Sequence, residues 1–522
     1  MEKMYDYIVV GSGFGGSVAS LRLSEKGYSV LTIEKGKRFN PEDFPKSNWN
    51  LRKYLWLPKF GFFGIQKLTF SRKASILSGV GVGGGSLVYA NTLFYPPDKF
   101  FEHDSWKKYG NWKKLLKPFY ETAAFMMGRT LYEKINPEDR YLRDVAKDMT
   151  RSESFENVYV GVYMDDREEE RDPYFNGKGP PRKPCIECAG CMVGCRENAK
   201  NSLDKNYLYF AEKLGTEILA ETRVVRIECN HTQYIVYTRS STRLYSRKAR
   251  KFRCKGLILA GGSLGTLELL LKQKYKYKTL AGLSDTLGSS LLTNSETLCA
   301  VSSIPEKTNN GLAITSVFNP DENTHVEVVK YPDGSNALKW FFALSSPGNV
   351  SNFKRTLRMI YISFRNPRKF LKVIFNMNWS TNLVIFLVMQ HIENSMRMIW
   401  KPGLWGGRII LDNSGFKRVP AYIDIGQQVM EEYARKANGI AQNIILEVMF
   451  DRPTTAHILG GCPMSESISD GVVNPELSVH GYPGIHIVDG SVIQGNIGVN
   501  PSFSILAMAE YAMNKIPEKK DK

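Results

Sequence analysis

Apolar and polar positions fall into blocks along the chain, and the first block is the most regular. Residues 7–10 are an apolar run that predicts a buried strand. It leads into Gly11-Ser12-Gly13-Phe14-Gly15-Gly16. Residues 17–25 then predict a helix stopped by Gly27, and residues 28–33 a second strand that ends in Glu34. Residues 37–70 are basic, aromatic and broken by proline and glycine, the pattern of an excursion that leaves a sheet and covers something. Residues 107–131 predict a helix whose aromatic residues line an apolar face. Residues 206–214 predict another helix, and residues 216–220, 223–229 and 233–238 predict strands. A further buried strand at 256–260 runs into Gly261-Gly262-Ser263-Leu264-Gly265-Thr266 and an apolar helix. From about 301 to 449 the pattern changes to alternating strands and aromatic runs, which predicts an antiparallel sheet. Within it, residues 353–400 mix Lys and Arg with Phe, Ile and Trp around Pro367. That stretch reads either as an amphipathic lid or lipid-facing surface, or as core helices with solvated lysines. Residues 456–513 return to glycine-rich turns and a final helix, and no internal repeat is visible.

The fold class is therefore α/β: a discontinuous Rossmann-type dinucleotide-binding domain with an inserted α+β, antiparallel-sheet substrate domain. The first domain spans 1–300, with covering loops at 37–78 and a cysteine-rich insertion at 180–205, and resumes over 451–518 around the inserted 301–450. A length of 522 residues fits two or more domains, and 43% hydrophobic residues exclude global disorder. The first strand begins directly after Met1-Glu2-Lys3-Met4, which leaves no room for a signal peptide. No apolar run approaches the ~18 residues of a membrane span. The expectation is a cytoplasmic protein that touches a membrane surface at most. The net charge is +18, with clusters at 247–253 and 354–372. Without a zinc-finger pattern, an RNP-type motif or a basic tail, the charge speaks for a peripheral surface facing anionic lipid rather than for nucleic acid. The run MDDREEER at 164–171 reads as a solvated loop.

The glycine turn carries specific chemistry. Gly11 permits the tight turn, Gly13 lets a pyrophosphate approach the backbone, and Gly16 lets helix pack on strand. Glu34 stands where an acid accepts hydrogen bonds from a ribose. In the stretch GVGVGGGSLVYAN, at 79–91, closely spaced glycines allow backbone to lie against a flat or charged ligand. A flexible loop is the plainer reading, but the apolar continuation should tie it down. Cys185, Cys188, Cys191 and Cys195 have the ferredoxin-type spacing for an iron–sulfur cluster, although Arg196 stands where that pattern has proline. Four thiolates also suit zinc, and four reduced structural thiols is the third alternative. A cluster would let electrons leave one at a time to an acceptor protein. Cys229, Cys254 and Cys299 lie in or beside strand-like runs and read as core.

Taken together, these segments resemble the glucose–methanol–choline (GMC) oxidoreductases. The likeness rests on the first glycine turn with Glu34, GVGGGSLVYANT at 81–92, LILAGGSLGTLELL at 257–270, HILGGCPM at 457–464 and GYPGIHIVDGSVIQGNIGVNPSFSILAMAE at 481–510. The cysteine-rich segment at 185–208, VMQHIENS at 388–395 and the late VNP resemble the cholesterol oxidase-like branch. The resemblance implies a non-covalent FAD, because no histidine flanks the 81–91 loop. Gly11, Gly13 and Gly16, with Phe14 and Gly15 between them, would hold its pyrophosphate. Glu34 would hold the adenosine ribose and Val224 would meet adenine through its backbone. Gly85 and Asn91 would lie along the flavin, Asp489 and Gly490 near the ribityl and pyrophosphate, and Asn500 and Pro501 at the ring. His457 and Asn500 match the family's active-site pair: a histidine to control the hydroxyl proton and an amide to position the oxygen while hydride leaves for the flavin. His480 and His486 read as structural, and Cys462 follows the Gly-Gly turn and is not assigned as a nucleophile.

Steroid oxidases of this kind can also shift the product's double bond with a carboxylate in the cavity. Glu327 lies in the right region, but the neighbouring PDGSNALKW does not reproduce the expected motif. The implied function is oxidation of the hydroxyl of a sterol or similar bulky lipid alcohol, with O2 or a protein as acceptor. Its rivals are a long-chain or other hydrophobic alcohol dehydrogenase and a non-catalytic flavin-binding redox protein.

Overall fold

The computed structural model describes residues 3–520 apart from 168, 231–232, 244–248 and 404–405. The basic cluster at 247–253 and the charge run at 164–171 therefore lie partly outside the described residues.

Two seven-stranded sheets organise the chain. In the first, Met4–Val10 pairs in parallel with Val30–Ile33 on one side and with Arg250–Leu259 on the other. Glu217–Leu219 extends the sheet beyond Val30–Ile33. Arg250–Leu259 is long enough to serve two partners on its far side. Its first half pairs antiparallel with Gln233–Ser240, which in turn pairs with Thr222–Asn230. Its last three residues pair in parallel with Ile485–Ile487, more than two hundred residues later in the chain. The central strands are apolar on both faces because both are covered: Ile8, Val9, Leu257, Ile258 and Leu259 have no exposed surface.

Two helices cover one face together. Phe14–Glu25 packs against the closing helix Ser502–Lys515. The first helix is buried nearly all round, so its serines bond within it: Ser17 and Ser20 hydroxyls donate to the carbonyls of Gly13 and Gly16, each at 2.7 Å. Arg22 grips Glu510 with two nitrogens at 2.7 and 2.9 Å, and the Tyr207 hydroxyl donates to the same carboxylate at 2.7 Å. Two positions in the first turn of this helix, Gly15 and Gly16, tolerate no side chain. A Cβ on Gly15 would sit 1.8 Å from the Val488 carbonyl oxygen, and one on Gly16 would sit 1.9 Å from that of Gly11.

The second sheet is antiparallel. Its order is Phe342–Leu344, Ile440–Ile444, Thr297–Ser302, Leu383–Gln390, Thr324–Val329, Ile314–Phe318 and Glu156–Asn157. Helices Pro137–Asp148 and Asp424–Lys436 cover one face, where Val326, Val328, Phe386 and Val388 meet Leu142, Val429 and Tyr433. Alternation along Thr324–Val329 turns His325 and Glu327 to the opposite face.

Several elements differ from expectation. Within 107–131 the helix is only Trp112–Met126, bounded by the positive-φ residues Gly110 and Gly128. Cys229 is exposed near the end of its strand rather than in the core, whereas Cys254 and Cys299 are fully buried. The basic aromatic stretch forms helices Asn352–Arg365 and Pro367–Ile374, and their aromatic side chains face solvent, so they are not core helices. The long apolar run after them is the buried strand Leu383–Gln390. Among the described residues no helix is long and apolar enough to cross a membrane.

Gly15→Ala should lower the urea midpoint by an amount corresponding to about 1–3 kcal/mol, the usual cost of overpacking. It should also reduce bound FAD per chain, measured from the visible spectrum, because Val488 must move away from the first helix.

Candidate active site

Two glycine turns from distant parts of the chain meet back to back. A Cβ on Gly84 would stand 2.5 Å from the Gly13 Cα, so the 81–85 turn and the 11–16 turn close on each other as bare backbone. The Phe14–Glu25 helix begins beside this seam with no side chain capping its first N–H groups, which leaves them open to an anion. Glu34 is buried under the seam. One of its oxygens accepts from the Ser12 N–H at 3.1 Å and the Ser12 hydroxyl at 2.9 Å, and the other from the Gly36 N–H at 2.8 Å. The sheet brings Val224 close by, since the Thr222 N–H donates to the Glu34 carbonyl at 2.9 Å. Asp489 is buried at the other end of the seam, holding the Ser491 N–H at 2.9 Å and the Ser491 and Thr266 hydroxyls at 2.6 and 2.5 Å. Burial raises its pKa. Gly490 opens the short turn that follows it.

The 84–91 loop is held from beneath by a residue the sequence reading did not single out. Lys200 is buried and donates to the carbonyls of Leu87, Tyr89 and Cys191 at 3.0, 2.9 and 2.8 Å. Burial lowers its pKa to about 8. Asn91 sits above it with a left-handed backbone, φ +74°. The Asn91 side chain is fully buried and lies against the Cys191 thiol. Bare glycine turns that close on each other and uncapped helix N–H groups are the donor set a dinucleotide needs, so the residues present fit FAD.

Five further side chains gather on the second sheet's side of this cradle. Thr454–Thr455 pairs with Ser75–Gly79 and delivers the chain to His457. The His457 Nδ1 lies 2.9 Å from Glu296 Oε2. Glu296 is itself fixed, accepting from the Thr455 hydroxyl at 3.0 Å and the Ala456 N–H at 3.1 Å. Burial alone would pull the imidazole pKa down; the carboxylates of Glu296 and Glu327 outweigh it and hold the pKa above its ordinary value. Asn500 Nδ2 donates to Glu327 Oε2 at 3.4 Å, while Asn500 Oδ1 is buried without a partner. Pro501 caps the final helix directly after it. Glu327 Oε1 faces His325 Nε2 at 3.2 Å, and His325 Nδ1 faces Asn319 Oδ1 at 3.0 Å.

The loop carrying Asn500 is tied to the turn carrying Glu296. Asn294 donates to the Val499 carbonyl at 2.9 Å and accepts from the Gly498 N–H at 2.8 Å. Asn294 and Ser295 both have left-handed backbones, which sets Glu296 at the head of its strand. Glu296 and His325 were missed in the sequence. Nothing local marks Glu296, but His325 follows from strand alternation once Glu327 is under consideration. Glu327 is in the site although its neighbouring segment lacks the expected motif.

The remaining candidates separate from this group. His480 bonds the Ser465 carbonyl at 2.8 Å, and burial lowers the His486 pKa to about 4. Cys462 is fully buried and its thiol is pushed up by burial, which leaves no reactive thiolate. The four-cysteine segment does not bear out the iron–sulfur or zinc expectation. Cys185, Cys188, Cys191 and Cys195 neighbour one another, and burial followed by mutual repulsion raises the Cys185 pKa. Yet among the described residues no group of three or more His, Cys, Asp or Glu is disposed to hold a metal. Left-handed turns at Glu187 and Ala189 break up the segment, Cys188 is exposed and Cys191 is buried beneath the 84–91 loop, so close spacing in sequence does not make a ligand set.

Replacing Glu296 by Gln should move the NMR titration of His457 to lower pH. Glu296 opposes burial more strongly than Glu327 does, so its loss leaves only Glu327 against the burial that favours the neutral ring. An unchanged midpoint would show that Glu296 carries no charge coupling to the ring.

Comparison with known proteins agrees with this geometry. Residues 360–509 match the family described as GMC oxidoreductase, and residues 9–40 match an NAD(P)-binding Rossmann-like domain. The chain is 39% identical over 534 residues to a cholesterol oxidase of Mycobacterium tuberculosis, covering 99% of this chain and 92% of that one. It is 37% identical over 529 residues to a cholesterol oxidase of Acinetobacter baumannii, covering 99% and 95%. Among solved structures, pyridoxine 4-oxidase from Mesorbium loti superposes with a TM-score of 0.60 at 14% identity over 98% of each chain, a likeness of fold. On full-length similarity, fold and FAD cradle together, the chain belongs to the GMC oxidoreductase family, in its cholesterol oxidase-like branch, and is an FAD-dependent oxidoreductase that oxidises alcohols.

Proposed function

We propose that the alcohol is a sterol, oxidised at its 3β-hydroxyl to the ketone, with O2 as the acceptor. The observation that carries this reading is the grouping of His457, Asn500 and Glu327 on one side of the FAD cradle. Its support from outside is the relatives at 37–39% identity named as cholesterol oxidases.

The two glycine turns, Glu34, Asn91 and Asp489 would hold FAD, which when bound would supply the hydride acceptor. The chain's own residues control the proton. With Nδ1 turned to Glu296, His457 meets the substrate through Nε2 and accepts the hydroxyl proton there. Glu296 stabilises the imidazolium that results; it is a positioning residue. The Asn500 amide donates to the substrate oxygen with the N–H that Glu327 leaves free. Glu327 supports a second step. In a sterol with a double bond between C5 and C6, the new C3 ketone acidifies C4. A carboxylate takes the C4 proton and returns it at C6, moving the double bond into conjugation with no net change in protons. His325 holds that carboxylate from the other side.

Mixing the protein with cholesterol in detergent without oxygen should bleach the flavin band, and readmitted air should restore it. A band that stays oxidised with cholesterol but bleaches with a long-chain alcohol would replace the sterol by that class. Restoration only by an added electron-carrier protein would replace O2. His457→Ala should lower kcat by ~10²–10⁴-fold while bound FAD is retained. Glu327→Gln should accumulate the unconjugated ketone, seen as lost absorbance of the conjugated enone, with hydride transfer largely kept.

A further inference from the structure

The helices Asn352–Arg365 and Pro367–Ile374 are amphipathic in the reverse sense to a core helix. On the first, Phe353, Leu357, Tyr361 and Phe364 recur at helical spacing and are 69, 51, 60 and 81% exposed. Just beyond the second, Phe375 and Met377 are 72 and 79% exposed. The inward side is small and partly polar: Ile362 and Val373 pack on Leu344 and Ile440. Arg355 is buried there, over the Tyr422 ring at 4.5 Å. The patch continues beyond the helices. Lys339 donates to the Ile374 carbonyl at 3.1 Å, which sets the 55%-exposed Trp340 alongside. The Ala337 N–H donates to Asn48 at 3.1 Å, which brings up the 51%-exposed Trp49. A contiguous aromatic surface of this kind marks an interaction site.

Charge identifies the occupant. Residues 352–375 contain no Asp or Glu, and Lys354, Arg358, Arg365, Arg368, Lys369 and Lys372 flank the apolar stripe. A second copy of the chain, joined through the same patch, would bring these cations against themselves on a molecule of net charge +18. A bilayer with anionic headgroups satisfies both parts, taking the aromatic side chains at the acyl boundary and the cations at the phosphates. We propose that this helix pair, with Trp340 and Trp49 beside it, is the surface by which the protein docks on anionic membranes.

The surface is joined mechanically to the site. Arg355 donates to the Glu447 carbonyl at 3.5 Å. The Glu447 carboxylate accepts from the N–H groups of Leu298 and Thr454 at 3.4 and 3.2 Å. Those two residues lie two and three positions from Glu296 and His457, so the docking helix is braced on the segments that hold the proton-handling pair.

The test is flotation of the FAD-loaded full chain with vesicles of phosphatidylcholine alone or mixed equally with phosphatidylserine. No sterol is present, so the result stands apart from the substrate assignment. Protein should float with the mixed vesicles and be released at about 1 M salt, where charges more than ~3 Å apart are screened. Phe353→Ser/Leu357→Ser/Phe364→Ser should cut the floated fraction about tenfold or more, through lost apolar insertion. Arg365→Glu/Lys369→Glu should do so through charge, and bound FAD and thermal midpoint check that each variant is folded. Wild-type protein that stays at the bottom with the mixed vesicles, or folded variants that float as well as wild type, would overturn the proposal. So would a dimer, seen by sedimentation, that the serine variant dissociates and that does not float.

Discussion

Parallel strands cannot be joined by a tight turn; each must be reached by a crossover. That constraint shapes the molecule. Ile485–Ile487 adds beside Arg250–Leu259 only after the chain has left the first sheet, built the second and returned. The return carries His457 in on one side of that strand and Asn500 on the other. Both therefore arrive over the glycine turns at the ends of the parallel strands, where open α/β sheets hold their ligands. Arg22 and Glu510 then lock the first helix to the last, so the two ends of the chain close one cradle.

The second sheet contributes charge to a buried place, where Glu296 and Glu327 have almost no exposed surface. Burying carboxylates is costly unless each lone pair is met. Glu296 is met by Thr455, Ala456 and the His457 ring, and Glu327 by His325 and Asn500. Neither carboxylate is spare packing. One raises the proton affinity of the imidazole, and the other accepts from the Asn500 amide. Asn500 Oδ1 is one of the buried polar atoms with no partner in the protein, and beside Glu327 it is placed where a bound cofactor or substrate would complete it.

The same sheet also explains why an apolar surface persists on the outside. Its inner faces are filled by two separate cores. The Asn352–Arg365 and Pro367–Ile374 helices pack inward on the small cluster around Leu344 and Ile440 and on Ile445–Phe450, and among the described residues their outward aromatic side chains stay exposed. Their attachment through Arg355 and Glu447 is polar and specific, so the helices are held in place without burying that face.

The sequence by itself determined what depends on local spacing. The strand–glycine–helix turn, the acid at Glu34, the alternation of the second sheet and the VNP turn before the last helix are each written within a few tens of residues, because backbone geometry and burial period act over that range. His457 and Asn500 stand out as candidates for the same reason, each beside its own short motif. What came together from far apart was not legible. Glu296 stands 161 positions before the histidine it orients and has no pattern of its own. The spacing of Cys185, Cys188, Cys191 and Cys195 suggested a ligand set, and left-handed turns undid it. The apolar stripe of the docking helices read equally as core or as surface, since periodicity marks one face of a helix but not what lies against it. Those questions were decided by tertiary structure alone, because they turn on which distant groups share a small volume, and only the packed chain fixes that.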